Sequence, residues 1–595
     1  MVDLSLSPSL EEYMFTAGIL ISFFGMMAAA AISRKHIADA LKEAGFSRST
    51  ALMLAMAVMI FVGIELLVVH PTQQIFFDDD IYLAMAQDLI HTGQAWMCNY
   101  GTPTFCYDGG ILHEPIGAAF NLAIGFMIFG VNRAVAYGIG VVLGAVAVAS
   151  TFLAALLLFR DRKAAFMSSI FIALAPVLLL WAMPTNSDLP TLTYSLVAVF
   201  FMLVFMRKKH LGTMAAAAFS LALATYMKVD AIAYVAVIPL MYLVMDGKGL
   251  ADSVKSNAGR IARGLGDTKV LVVLLVFIIA IAPEIIFVQA ELHGSYGYSG
   301  TIVQNTCNPS QTITAVSAMD LQNFGANVCG NVLFWFNQYG TIISYPAYPI
   351  AQPAIFTLFA ILGAAAMLAM RERRRVFLSI ALWFASFFAI YTAFYGGSVL
   401  YGVDWRFQLG LIAQVSMLSG FGASALLGIG RINLSGKGTA EGKGERSFRK
   451  LLLFSAAGVV LATVSYAFYS ELPAVGILPS QISQAQTARF DENFVFNSSY
   501  LIPPDSLVLS YDPTLFIINN KTSAQMDTIF DKAQLQTYNA TYKHLVIDWG
   551  YWCYTPNNYC TQVQQQFKLV PIATAVDNQS SPPQTFGFYL VNGTK

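Results

Sequence analysis

About a dozen apolar segments, each near the length of a membrane-crossing helix, constrain this chain more than any other feature. They fall near residues 14–33, 51–70, 134–159, 164–183, 189–206, 211–227, 230–245, 270–290, 353–370, 376–396, 405–428 and 451–470. Each is long enough, or nearly so, to cross roughly 30 Å of hydrocarbon as a helix. Only 11% of the 595 residues are charged and 56% are hydrophobic, where soluble domains carry roughly 25% charged residues. The chain therefore reads as a polytopic α-helical membrane protein of about twelve transmembrane helices.

Lys and Arg in the short loops set the orientation. Arg34, Lys35, Lys42 and Arg48 place the first loop in the cytoplasm, and the same rule puts Arg160–Lys163, Arg207–Lys209, residues 248–269, Arg371–Arg375 and residues 431–450 inside. Residues 116–132 are apolar enough to cross, but counting them would put Arg160–Lys163 outside. They are expected to form a helix that lies at the outer interface or dips in without crossing. Both termini then fall outside, together with the loops 71–133 and 291–352. No cleavable signal peptide is expected, because the first apolar segment has an acidic flank and no small-residue cleavage site. The net charge of zero says nothing about partners, and nothing in the pattern calls for nucleic acid.

Two features agree with this map. Six cysteines pair by proximity as Cys98–Cys106, Cys307–Cys329 and Cys553–Cys560, all in outer loops, where disulfides persist. The segment 471–595 carries N-x-S/T sequons at Asn497, Asn520, Asn539, Asn578 and Asn592, while a further one at Asn433 sits in a basic inside loop. Within 471–595, β-rich runs (507–510, 545–547, 569–576, 586–591) alternate with helix-like stretches (523–536, 561–567). That pattern predicts a small extracytoplasmic α/β domain following a membrane domain of residues 1–470. His544 and Asp548 stand there without a nucleophile and read as a strand end entering a loop.

The polar residues at membrane edges carry the chemistry. Asp78, Asp79 and Asp80 stand between an apolar run and an amphipathic stretch in which Ile81, Met85 and Leu89 recur at helical spacing. One Asp could simply cap a helix, but three adjacent ones repel one another and exceed what a cap uses. Further polar groups recur on the same face: His113-Glu114-Pro115, Asn186-Ser187-Asp188, Lys228-Val229-Asp230 and Tyr401-Gly-Val-Asp404-Trp-Arg406-Phe407. Singly, Asp188 or Asp230 could cap a helix and Lys228 or Arg406 could snorkel. There is no P-loop, nucleotide fingerprint, zinc-ligand spacing or internal repeat, so a sugar nucleotide or ATP is a poor donor. Carboxylates can deprotonate an acceptor hydroxyl, while Arg and Lys can hold a departing phosphate. A lipid phosphate at the membrane surface fits that division of labour.

The pattern Asp78-Asp79-x-x-Tyr82-x-x-x-Ala86 resembles the D-E-x-x-[YF]-x-x-x-A start of the first outer loop in integral-membrane GT-C glycosyltransferases, the class of protein O-mannosyltransferases and lipid A aminoarabinose transferases. His113-Glu114-Pro115-Ile116 is similar to their H/K-P-P-L, with Glu114 in place of the first Pro. Asn186-Ser187-Asp188 matches an Asp after an early helix, and Asp404-x-Arg406-Phe407 a late Arg-Tyr/Phe. The segment 14–33 is extra, and Lys228-Val-Asp230 departs from the usual Lys-Gly-Pro. The resemblance covers roughly residues 51–430. It implies a GT-C-like fold and an inverting transfer of a sugar from a polyprenyl (dolichyl) phosphate to a hydroxyl of a protein or lipid-linked glycan, on the outer face of a cell membrane. By position Asp78 is the base and Asp79 its neighbour. Asp80, Tyr82, His113, Glu114, Asp188, Lys228, Tyr401, Asp404 and Arg406 are the substrate-binding set. This reading names no definite cofactor, though an acidic cluster invites a divalent cation such as Mg or Mn. A dolichol-using archaeal membrane would suit sequons, disulfides and the missing signal together. The rivals are a secondary transporter, which would place ionisable groups near the midplane, and a non-catalytic cell-surface assembly protein.

Overall fold

A computed structural model of the protein describes residues 8–69, 77–93, 96–97, 107–108, 116–183, 185–246, 268–290, 301–304, 312–315, 354–394, 409–428, 458, 482–519, 521–554, 558–578 and 580–594. The first part is helical: α1 (Pro8–Ile32), α2 (Arg34–Glu43), α3 (Arg48–Leu67), α4 (Phe77–Thr92), α5 (Ile116–Phe129), α6 (Arg133–Phe159), α7 (Arg162–Ala173), α8 (Pro176–Ala182), α9 (Asp188–Lys208), α10 (Leu211–Met227), α11 (Tyr234–Asp246), α12 (Thr268–Ala290), α13 (Ala354–Ala369), α14 (Arg374–Phe394) and α15 (Leu409–Gly428). Short antiparallel pairs, β1 (Trp96–Met97) with β2 (Tyr107–Asp108) and β3 (Thr301–Gln304) with β4 (Thr312–Ala315), lie between them.

Among the described residues, five helices are long and apolar enough to cross a membrane: the Tyr13–Ile32 part of α1, α3, α6, α9 and the Leu409–Leu427 part of α15. The apolar run 164–183, expected to be one helix, is instead α7 and α8, bent by 57°. Pro176 explains the break: it opens α8 at N1, where its missing N–H costs nothing, and it cannot continue α7. The helix expected over 116–132 is α5, 14 residues long, about 21 Å at helical rise and short of a full crossing. Its first residues are buried against α4, α6 and α10 rather than laid on a lipid surface. Lys228 is followed by a 3-10 turn, Val229–Ala233, before α11.

Side chains start and stop the helices as the sequence requires. Asn132 caps α6 through Val135 N at 3.0 Å, and Asp161 caps α7 through Lys163 N at 2.8 Å. Basic residues gather at one end of the bundle. Arg373 donates to the Phe159 carbonyl at 2.7 Å, Arg207 donates to that of Leu157, and Lys208 pairs with Glu43. Cations there satisfy the last carbonyls of α6 and suit the negative pole of its dipole. Four loops that the Lys/Arg pattern placed on one side thus meet at one end. α9 ends at this basic end and α10 begins there, so Asp188 and Met227 lie at the other. Ser424 meets Asp161 at 3.2 Å, which puts the start of α15 at that other end too.

The C-terminal part comprises α16 (Ile482–Ser498), β5 (Ser506–Ser510), α17 (Pro513–Ile517), β6 (Ser523–Gln525), α18 (Lys532–Thr541), β7 (His544–Trp549), α19 (Tyr559–Gln566), β8 (Phe567–Asp577) and β9 (Gln584–Thr594). The five strands form one sheet in the order β6-β5-β7-β9-β8. β5 is parallel to both β6 and β7, and β9 is antiparallel to β7 and β8. Alternate residues of β5 feed two cores: Leu507 and Leu509 on one face, Val508 on the other. The stretch 523–536, expected to be helical, begins instead as β6, pairs Val508 with Ser523, passes through a 3-10 turn at Met526–Phe530, and becomes α-helical at Lys532. A disulfide joins Cys553 and Cys560, with Cα atoms 5.3 Å apart, within the ordinary range. Cys98, Cys106, Cys307 and Cys329 lie outside the described residues. Asn497, Asn539, Asn578 and Asn592 are exposed, as a glycan acceptor must be; Asn520 and Asn433 lie outside the described residues.

Candidate functional site

Asp188 and Lys228 meet at the end of the bundle opposite the basic loops. Asp188 opens α9 and Lys228 closes α10, and Lys228 Nζ lies 2.7 Å from Asp188 Oδ1. Their side chains are 5% and 13% exposed, so each charge is met by the other where water cannot meet it. Asn186 shapes this corner: its Nδ2 donates to the Trp181 carbonyl and its Oδ1 accepts from Leu189 N, both at 2.8 Å. Asn186 rather than Asp188 thus serves the start of α9 as a cap, which leaves the Asp188 carboxylate for Lys228.

The start of α5 is locked to the same corner. A Cβ at Gly117 would overlap the Tyr226 carbonyl, so this close approach of backbones requires glycine. Asn121, one turn on, accepts from Tyr194 Oη at 2.7 Å and donates to Met227 Sδ at 3.3 Å. Between α5, α6 and the start of α9 lies a cavity of about 20 Å3, lined by Asn121, Thr185, Asn186 and apolar side chains. That is room for about one water.

Asp78, Asp79 and Asp80 fall in the first turn of α4, after its first residue Phe77. There they suit the positive end of the helix dipole; their side chains lie outside the described residues. Tyr82 is buried, as are its neighbours from Ile81 to Ala86. α4 packs on α5, whose first residue follows directly on His113-Glu114-Pro115. His113, Glu114, Tyr401, Asp404 and Arg406 lie outside the described residues, as does the side chain of Asp230. Two of the proposed residues, Asp188 and Lys228, are therefore brought into contact. The helix ends that flank the others, at α5 and α15, stand at the same end of the bundle. Among the described residues no group of three or more His, Cys, Asp and Glu is arranged to hold a metal ion.

Three features escaped the reading of motifs. Glu65, in α3, is fully buried, and neither carboxyl oxygen has a hydrogen-bond partner; the one signal was a charge inside an apolar run. Asp491 and Asp548, from α16 and β7, are buried together in the C-terminal part. A Cβ at Gly550 would stand 2.6 Å from Asp491 Oδ2 and 3.1 Å from Asp548 Oδ2. Asp491 Oδ2 accepts from Tyr551 N at 2.6 Å, and Asp548 Oδ2 from Ser510 Oγ at 2.7 Å. Burial pushes the Asp548 carboxyl up to about 7. Burial, and then the charge of Asp548, push that of Asp491 well above the ordinary carboxylate range. The third is a contact between the two parts of the chain. Glu492 Oε1 lies 2.7 Å from the Arg133 guanidinium and accepts from Tyr137 Oη at 2.8 Å.

Residues 113–287 match the family model of dolichyl-phosphate-mannose-protein mannosyltransferases. Among solved structures, ArnT from Cupriavidus metallidurans bound to undecaprenyl phosphate superposes with a TM-score of 0.52 at 13% identity, over 91% of this chain and 97% of that one. Its apo state gives a TM-score of 0.51 at 14% identity, over the same 91% and 97%. The oligosaccharyltransferase AglB from Archaeoglobus fulgidus is more distant, with a TM-score of 0.43 at 13% identity, over 91% of this chain and 74% of that one. No curated protein matches the chain in sequence. The fold is that of the GT-C membrane glycosyltransferases: the family model carries the likeness over one segment, and the ArnT fold carries it over nearly the whole chain.

Proposed function

We propose that this chain is a multi-pass membrane glycosyltransferase that moves a sugar from a polyprenyl (dolichyl) phosphate to a hydroxyl acceptor. ArnT, which shares the fold, was crystallised with such a lipid phosphate, and the matching family model is named for a dolichyl-phosphate donor. The observation that carries the reading is the buried Asp188–Lys228 pair, together with the helix starts that gather at its end of the bundle. In this scheme the reaction end and the C-terminal sheet lie outside the membrane, and the basic end lies inside.

Asp78 takes the proton of the acceptor hydroxyl, whose oxygen attacks the anomeric carbon of the sugar. The bond from that carbon to the lipid phosphate breaks, and the phosphate leaves with the electron pair. Asp79 and Asp80 hold the acceptor or a cation, and Tyr82, His113, Glu114, Tyr401 and Asp404 line the site. Arg406 neutralises the departing phosphate. Lys228 does so less directly, because Asp188 already answers its charge. A panel of radiolabelled polyprenyl-phosphate sugars, incubated with the purified protein and acceptor glycans or peptides, tests the proposal. Transfer from at least one donor is expected; no transfer from any of them, by a folded protein, contradicts it.

A further inference from the structure

Among the described residues, the C-terminal part touches the helix bundle in two places. At the first, Glu492 on α16 meets Arg133 and Tyr137 at the start of α6, and the Arg133 guanidinium lies 4.3 Å from the centre of the Phe496 ring. Glu492 is 7% exposed at its side chain, so this charge-assisted contact is made where water competes little. At the second place, α17 packs on α4, and Ile518, just after α17, joins the core of the bundle.

The two places grip helices of different kinds. α6 has 27 residues and packs on α3, α5, α7 and α9, so it is held by the bundle itself. α4 has 16 residues, and its principal helical neighbours are α5 and α17. Six consecutive residues of α4, Ile81 to Ala86, are buried. Six positions pass more than once round a helix at 3.6 residues per turn, so α4 must be covered on every side. α5 supplies one side, and the C-terminal part another.

We propose that the C-terminal part positions the acidic helix: the Glu492–Arg133 contact anchors it to α6, and from that anchor α17 and Ile518 hold α4, with Asp78–Asp80 in its first turn, against α5. Glu492 and Arg133 are then positioning residues, acting on the site through α4. The proposal rests on the proposed function only for what the positioned helix does.

Hydrogen exchange of the full chain in lipid nanodiscs tests it. Arg133→Ala removes the anchor from the bundle side and takes nothing from the core of the sheet. The amides of α4 should then exchange roughly 10-fold faster or more, by easier local opening, while those of β5 and β7 stay protected. The charge swap Arg133→Glu with Glu492→Arg should restore most of the protection. Unchanged exchange in α4 overturns the proposal. So does faster exchange throughout the sheet, since the contact would then hold the sheet's fold and not its seat. A swap that fails to restore protection also overturns it, by assigning the anchor to something other than this ion pair. Exchange reads docking alone, so a chain that transfers no sugar but shows this coupling refutes the function and leaves the docking standing.

Discussion

Asp188 and Asp548 are sealed from solvent to about the same degree, 5% and 4% exposed, and they meet the cost of burial in opposite ways. Asp188 has a cation, Lys228, at 2.7 Å, and each of the two opposite charges offsets the other. Asp548 has another carboxylate, Asp491, beside it, and a hydroxyl donor in Ser510. Two like charges in a dry place cannot both ionise cheaply, so a proton settles the matter there. A carboxylate held against another carries a charge that follows pH. The first arrangement suits a place where charges must be ready for a phosphate and a hydroxyl, and the second suits a structural seam.

Substitutions should break the two arrangements differently. Lys228→Ala leaves Asp188 buried without its cation and should cost about 3–5 kcal/mol, measured as a fall in melting temperature in detergent. A cost below about 1 kcal/mol would show that the corner is wetter than its burial indicates. Opening the Cys553–Cys560 bridge by Cys553→Ser with Cys560→Ser should cost about 2–3 kcal/mol through the freed chain, and non-reduced peptide mapping should find that pair joined in the parent protein. Asp548→Asn should go the other way. It keeps an acceptor for Ser510 and removes one of two like charges, so at pH 8 it should stabilise the C-terminal sheet by on the order of 1 kcal/mol.

The pH dependence follows from the direction of the shifts. The folded carboxyls of Asp491 and Asp548 sit above their unfolded value, so the folded state holds more protons than the unfolded one. Their contribution is therefore full below about pH 4, the unfolded value, and is lost as pH rises through about 7. Besides one another, the groups facing the pair are Glu492, which adds to the repulsion, and Ser510 and Tyr551 N, which donate to it. Melting of the sheet should fall between pH 5 and 8 in the parent and fall less in Asp548→Asn. An equal slope in both would break the comparison.

Much of the helical part was legible because a bilayer forces it to be. The run 211–227 became α10, and the runs 189–206 and 270–290 became helices within two residues at each end. Apolar length and Lys/Arg placement decide such spans without help from the rest of the fold. The bend before Pro176 was written in the sequence, but an apolar run of helical length concealed it. Residues 523–525 could not be read as a strand, because Ser-Ala-Gln becomes one only through its pairing with β5. The meeting of Asp188 with Lys228 was half legible: both stood out as polar residues at helix ends, but not that they answer one another across 40 residues. Asp548 read as a strand end entering a loop, and Asp491 gave no local sign, so their burial side by side could not be seen in the sequence. Glu492 likewise finds Tyr137 355 residues away, with Arg133 beside it, a distance over which sequence pattern carries no information.

The central claim is that the chemistry belongs to the bundle end with Asp78 and not to the acidic seam of the C-terminal sheet. Transfer of a radiolabelled sugar from its polyprenyl phosphate, followed in Asp78→Asn and in Asp548→Asn at matched expression, tests this directly. Asn suits the start of a helix about as well as Asp does, so the first variant removes a base while sparing a cap. Transfer should fall by roughly 10²-fold or more in Asp78→Asn and stay near the parent rate in Asp548→Asn. Near-parent transfer by a folded, membrane-inserted Asp78→Asn protein would contradict the account.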